Sequence, residues 1–153
     1  MPEIKSKSPS ESETIRAEVV CPNDTNPMEI LKGGQLVHWM DMTAAVCAQI
    51  HAEKICVTAS IDSVDFKTPA RLGDIVTIKA KITRAFTSSI EIFVKAYTKN
   101  IKSKEKTLVS EAFFTFVALD DKARPTSVPA VKPITEEEIE QYNNATKRRK
   151  IKK

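Results

Sequence analysis

The stretch Asn23–Ala52, NDTNPMEILKGGQLVHWMDMTAAVCAQIHA, decides how this chain folds. Pro22, Asn23, Asp24, Asn26 and Pro27 crowd its start, and each of these residue types favours a turn. Gly33 and Gly34 follow, and beyond them apolar residues recur at helical spacing. The spacing predicts a helix over about Gln35–Glu53. On a wheel, Leu36, Val37, Trp39, Met40, Ala44, Val46, Cys47, Ala48 and Ile50 leave a narrow polar arc. Such a helix is expected to be buried nearly all round. Asp41 lies at the edge of that arc with Gln35, His38 and Gln49.

Working outward, residues Met1–Glu13 are polar and rich in Ser and Lys, and are expected to form a disordered leader. Thr14–Val20 alternates like a strand. After the helix come four β-like stretches: Ile55–Phe66, Asp74–Phe86, Ser89–Asn100 and Thr107–Leu119. In the second of these, Val76, Ile78, Ala80 and Ile82 share one face, while Thr77, Lys79, Lys81 and Thr83 share the other. One side should therefore be half solvated. FTSS and NIKSKEK are hairpin-length connections. A proline-containing linker then leads to a short helix in ITEEEIEQYNNATK, with Thr135 as its cap and Glu138 completing a capping box. The expected division is a leader at 1–13, one domain at 14–119, and a linker, short helix and basic tail at 120–153.

A parallel βαβ design would need further crossover helices between the late strands, so those strands are expected to be antiparallel. One apolar helix must bury itself against the only large surface on offer. The expected fold class is therefore α+β, an antiparallel sheet wrapped around a long central helix. Such a sheet keeps open edges, and pairing with a second copy would cover one, so a homodimer is expected.

The 153 residues are 41% apolar and 29% charged, which suits a single globular domain. No apolar run reaches the ~18 residues needed to span a bilayer, and the start lacks an apolar signal region. A cytoplasmic protein without membrane partners is expected. Cys21, Cys47 and Cys56 are odd in number and without CxxC spacing, which argues against a disulfide framework or a zinc site. Buried thiols are the expectation, and no metal site is legible. The net charge is +4, but the final KRRKIKK carries six positive charges and leaves the remainder at −2. Nucleic-acid binding by the domain is unsupported, and the tail is expected to be solvated and disordered.

Residue chemistry alone leaves two roles for Asp41. Ala44, Ala45 and Ala48 leave space beside its carboxylate, as a general base requires. Equally, Asp41 fits a surface acid paired with His38. Gly33–Gly34 also has two readings. The pair lets a ligand approach the unpaired N–H groups of a helix start, which can hold an oxyanion; or it lets the loop pack against a neighbour. Nothing places a serine beside His38 or His51. Cys47 has no activating motif and reads as core.

The combination of "DTNP…GGQLVHWMD", "VTASIDSVDFKTPARLGD" and "TRAFTSS" resembles the hotdog-fold acyl-CoA thioesterases. The branch is that of the bacterial broad-range acyl-CoA hydrolases and the brain-type cytosolic enzyme, and the resemblance covers about Thr14–Leu119. It implies two protomers joined edge to edge, in many members as a trimer of dimers, with active sites between protomers. It implies hydrolysis of fatty acyl-CoA thioesters with Asp41 as general base or nucleophile, Asn26 as its partner from the other subunit, and the Gly34 amide polarising the carbonyl. Coenzyme A enters as part of substrate and product, with no cofactor required. Its contacts are expected at Arg84, Ser88, Ser89 and Lys67. Lys32, Met28 and Ile30 depart from the family pattern near the acyl pocket. Two alternatives stay open: a non-catalytic acyl-CoA-binding or sensing module, and a hotdog dehydratase or hydratase using His38.

Overall fold

The computed structural model of the chain describes residues 6–151, with only the backbone of 150 and 151. Met1–Lys5 of the expected leader and the last two residues of the tail lie outside the described residues. The elements are β1 (Thr14–Val19), α1 (Gly33–Ala52), β2 (Ile55–Phe66), β3 (Ile75–Ala85), β4 (Ser89–Lys99), β5 (Thr107–Leu119) and α2 (Glu136–Ile151). The strands form one antiparallel sheet in the order β1-β3-β4-β5-β2. β1 and β2 are therefore the edges, and α1, which lies between them in sequence, crosses the sheet.

Alternation sorts the two faces of the sheet. Ile78, Ile82, Ile92, Val94, Phe114 and Phe116 turn inward and are buried with Leu36, Met40, Ala44 and Ala48 of α1. Helix and sheet each remove an apolar face from water, the main favourable term in folding. α1 stops at Glu53, which is left-handed at φ 57° and donates its N–H to the Gln49 carbonyl at 2.8 Å.

Four expectations need correction. First, α1 is not buried all round. Met42, Val46 and Ile50, spaced four residues apart, are 46%, 44% and 49% exposed. β2, the edge strand that begins just past the helix end, adds Ile55 and Val57 at 68% and 44%. The sheet covers one side of the helix, and a single chain has nothing to lay on the other.

Second, the chain from Ser6 onward is not loose. The Lys7 N–H donates to the Ala130 carbonyl at 3.0 Å, and Lys132 N–H returns a bond to Lys7 at 2.8 Å. The Lys7 ammonium reaches the His51 carbonyl and the Glu53 carboxylate, each at 2.9 Å, where a cation complements the end of α1. Pro9 and Ser12 are buried. The anchor is the linker 125–131, whose Val128 and Val131 sit in the core.

Third, the basic tail is largely helix. α2 runs to Ile151, and Arg148 and Arg149 contact the outer face of the sheet. The predicted capping box is present: Thr135 N–H donates to the Glu138 carboxylate and Glu138 N–H donates to the Thr135 hydroxyl, both at 3.1 Å.

Burial holds two thiols protonated, pushing Cys47 up to about 12 and Cys56 up to about 11. Cys21 is exposed, contrary to expectation.

Candidate functional site

The loop before α1 is tied to the helix start by its own polar residues. Asp24 accepts the Gln35 side-chain amide at 3.0 Å with one oxygen and the Cys21 N–H at 2.9 Å with the other. Its carbonyl accepts the Lys32 N–H at 2.9 Å. Asn26 holds the tip of the loop, its Oδ1 accepting the N–H groups of Met28 at 2.9 Å and Ile30 at 3.2 Å. Both partners are donors, so the atom facing them is the oxygen, and the Asn26 amide nitrogen keeps its two hydrogens for another acceptor.

No side chain caps α1. Lys32 occupies the cap position, and the first turn closes with Leu36 N–H to the Lys32 carbonyl at 3.0 Å. The two glycines differ. A Cβ on Gly33 would lie 3.3 Å from Cζ of Phe66, whereas a Cβ on Gly34 would meet nothing within 4 Å. Gly33 lets an aromatic ring approach the backbone, and Gly34 faces open space. The packing reading applies to Gly33, and Gly34 has the open space that the other reading requires. Beside them lies a cleft of about 320 Å³, lined by Gly33, Leu36, Phe66, Lys67, Val109 and their neighbours.

Two turns along the helix, half-buried Asp41 accepts the Thr58 hydroxyl on Oδ1 at 2.7 Å. A surface pairing with His38 is not what forms. The acid bonds to the start of β2 instead, because α1 crosses that strand. His38 is exposed. Thr58 is the residue that sequence reasoning missed: a β-branched hydroxyl residue in a strand reads as ordinary strand filling. Asp41 is not among the cleft walls. Seven residues separate it from Gly34, about 10 Å along the helix axis.

The expected coenzyme A contacts fall in two places. Lys67 lines the cleft and pairs with Asp65 at 3.5 Å. Arg84, Ser88 and Ser89 surround the β3–β4 turn. Ser89 aligns with Val117 and then Val57 across the sheet, so the turn shares the Thr58 end of β2 and lies about 10 Å from it. Arg84 and Ser89 point to the outer face. Arg84 lies over the Tyr142 ring at 4.0 Å and donates to the Tyr142 carbonyl at 3.2 Å, and Ser89 bonds Arg149 at 2.9 Å. The structure thus brings together the Asn26 loop, the glycine pair and Lys67, and separately joins Asp41 to Thr58.

His51 is fully buried, with Nε2 2.7 Å from the Pro129 carbonyl. A carbonyl only accepts, so Nε2 carries the hydrogen, and Nδ1 is left buried without a bond. Burial lowers its pKa, opposed by the bond to Pro129.

Comparison with known proteins follows the same lines. Residues 28–104 match the family model described as Thioesterase superfamily. The acyl-CoA thioester hydrolase YkhA of Bacillus subtilis, itself described as uncharacterized, is 41% identical over 90% of this chain and 80% of its own. A crystal structure of an apo-hexameric acyl-CoA thioesterase superimposes with a TM-score of 0.93 at 39% identity, covering 96% of this chain and 94% of the other. An acyl-CoA hydrolase from Staphylococcus aureus, solved with butyryl coenzyme A and coenzyme A, superimposes at 0.89 with 39% identity over 96% of this chain and 92% of its own. Alanine mutants of that enzyme have been solved at an asparagine, an aspartate and a threonine. Their successive spacings of fifteen and seventeen residues are those of Asn26, Asp41 and Thr58.

Proposed function

This chain belongs to the thioesterase superfamily and is an acyl-CoA thioester hydrolase, and from that premise we propose that Asp41 of one protomer and Asn26 with Gly34 of another form its active site. The observation that carries the proposal is the separation along α1. A carbonyl held at the Gly34 N–H lies about 10 Å along the axis from Asp41 of the same helix, too far for either proton transfer or attack. A second copy brings its own Asp41 to that carbonyl.

The thioester oxygen accepts from the Gly34 N–H at the uncapped, positive end of α1 and from the free amide hydrogens of Asn26. Asp41, steadied by Thr58, takes a proton from a water that adds to the carbonyl carbon. The C–S bond then breaks, the coenzyme A thiolate leaves and takes up the proton, and the fatty acid is released. Direct attack by Asp41, giving an anhydride that water opens, uses the same groups. The reaction uses the thioester, water and this chain's residues, with coenzyme A as product. Arg84, Ser88, Ser89 and Lys67 serve its negatively charged nucleotide end.

The second copy docks on the exposed stripe of Met42, Val46 and Ile50 and on the open edge of β2, giving a homodimer. The hexameric solved relative supports a trimer of such dimers. Among the described residues no helix is long and apolar enough to cross a membrane. Two buried, reduced thiols fit the proposed cytoplasmic setting.

Subunit mixing tests the composite site. Asn26→Ala and Asp41→Asn are each inactive alone. Unfolding and refolding them together gives mixed dimers holding one intact site each, and about a quarter of wild-type turnover returns. Mixed dimers with no turnover refute the shared site.

A further inference from the structure

Two donors aimed at one oxygen must keep a fixed separation, yet Asn26 and Gly34 stand on different elements. Asn26 belongs to the loop 21–32, and Gly34 to the first turn of α1. The loop is a narrow hairpin in which Thr25 bridges to Leu31 and the Asn26 N–H donates to the Ile30 carbonyl at 2.9 Å. Its returning leg is fastened to the 70–72 segment, through Leu31 N–H to the Ala70 carbonyl at 2.8 Å and Leu72 N–H to the Glu29 carbonyl at 3.0 Å. Its outgoing leg, which carries Asn26, meets the helix start at Asp24. We propose that the hydrogen bond between Gln35 and Asp24 is a positioning clamp, which sets the Asn26 amide against the Gly34 N–H so that both reach one carbonyl oxygen. The proposal rests on the place given above to those two donors.

The clamp joins the immediate neighbours of the two donors. Asp24 lies two residues before Asn26, and Gln35 directly follows Gly34. Gln35 Nε2 donates to Asp24 Oδ1 at 3.0 Å, and the Lys32 N–H donates to the Asp24 carbonyl at 2.9 Å. Asp24 is thus bonded to two positions of the helix start, which fixes rotation of the leg as well as distance. The Asp24 side is itself rigid: Oδ2 accepts the Cys21 N–H at 2.9 Å, and the Asp24 N–H donates back to the Cys21 carbonyl at 2.9 Å. Both bonds to the carboxylate are charge-assisted, and Asp24, Asn26 and Gln35 are all half-buried, so water competes less for them. Asn26 commits its oxygen to the N–H groups of Met28 and Ile30, so the loop sets where its nitrogen points, and Asp24 sets the loop. Gln35 spends its amide on the loop and leaves Gly34 open, since a Cβ there would meet nothing within 4 Å. A misplacement of about 1 Å can cost on the order of a hundredfold in rate, and a loop still held by its other bonds should move by less.

The test is kcat and KM for butyryl-CoA and decanoyl-CoA, with thiol release as the readout and melting temperature measured beside it. Gln35→Met keeps the length of the side chain and removes the donor. It should lower kcat about tenfold and leave KM within about twofold, because the aim at the carbonyl is disturbed rather than the hold on coenzyme A. Gln35→Glu sets a second carboxylate against Asp24 and should cost more, roughly thirtyfold in kcat, through like-charge repulsion. Adding Asp24→Asn to Gln35→Glu restores a donor. The new amide keeps an oxygen for the Cys21 N–H and gives a hydrogen to the glutamate, so kcat should return to within about threefold of wild type. A bond that only stabilised the loop would lower the melting temperature and leave kcat alone. Wild-type kcat in folded Gln35→Met therefore overturns the clamp, as does a Gln35→Glu defect that Asp24→Asn does not relieve. Failure of the site reading itself shows elsewhere: Asn26→Ala would then keep wild-type turnover, and the clamp would fall with it.

Discussion

Two helices pack on opposite faces of one sheet, and they do so with opposite chemistry. α1 meets the inner face with Leu36, Met40, Ala44 and Ala48, all but removed from water. α2 meets the outer face with charge. Arg148 lies 3.9 Å from the Phe113 ring centre and grips Glu91 with Nε at 3.0 Å, while Thr83 also bonds that carboxylate. Arg149 lies over Phe86 at 4.1 Å. Lys81 pairs with Glu138 at 2.7 Å. Burial opposes ionisation of Glu138, but the Lys81 bond and the N–H groups of Ile134 and Thr135 outweigh it and hold its pKa below the usual range. Apolar area holds α1 wherever shapes match. Directional bonds hold α2 in one register, and each fails if its partner is removed.

The largest expected effect should separate chemistry from stability. Asp41→Asn on α1 should lower turnover by about 10²–10⁴ while the melting temperature stays near wild type, because its single bond is with exposed Thr58. Retained turnover ends the assignment. Next, Arg148→Met should do the reverse. It strands buried Glu91 and should cost about 2–4 kcal/mol, lowering the melting temperature by roughly 5–12 °C with kcat preserved. Adding Glu91→Gln should recover part of that loss; if it recovers none, the pair is not what holds α2. A smaller change follows from Thr58→Val, which keeps the shape and removes the hydroxyl. Turnover should fall about ten- to a hundredfold, the range for a hydrogen bond to a charged group, with little change in KM.

The smallest effect belongs to His51, on the buried side of α1. Its folded pKa lies below the unfolded value of 6.5, so the unfolded chain binds the proton first. Stability should be flat above about pH 6.5 and fall as pH drops below it, until His51 protonates in the folded state too. Lys7 and Glu11 face the ring with opposite effects, and Glu138 titrates lower, so urea midpoints at pH 7 and pH 5.5 isolate His51. In His51→Gln the difference between those midpoints should shrink.

The contrast between the faces also explains what could be read from sequence. β2 and β5 were legible to the residue, and α1 to within two, because burial of an apolar face imposes a period of 2 or 3.6. The Thr135–Glu138 box was legible because capping has a fixed spacing. The docking of α2 was not, since Arg148 and Glu91 are distant in sequence and their bond has no period. The clamp at Lys7 was hidden for the same reason. Met42, Val46 and Ile50 mislead in another way: an apolar residue looks the same whether its own chain or another copy covers it. Asn26, Asp41 and Gly34 are proposed for the site through family resemblance. Their chemistry alone left Asp41 and the glycine pair ambiguous, and Thr58 carried no signal.

The spacing of Gly34 and Asp41 on one rigid helix has a kinetic consequence. In the proposed site the reacting groups come from separate molecules, so an isolated subunit should be inactive. Progressive dilution below the dimer's dissociation constant should therefore lower specific activity, with rate rising as the square of protein concentration. Crowding subunits together, or linking two copies in tandem, should restore a linear dependence.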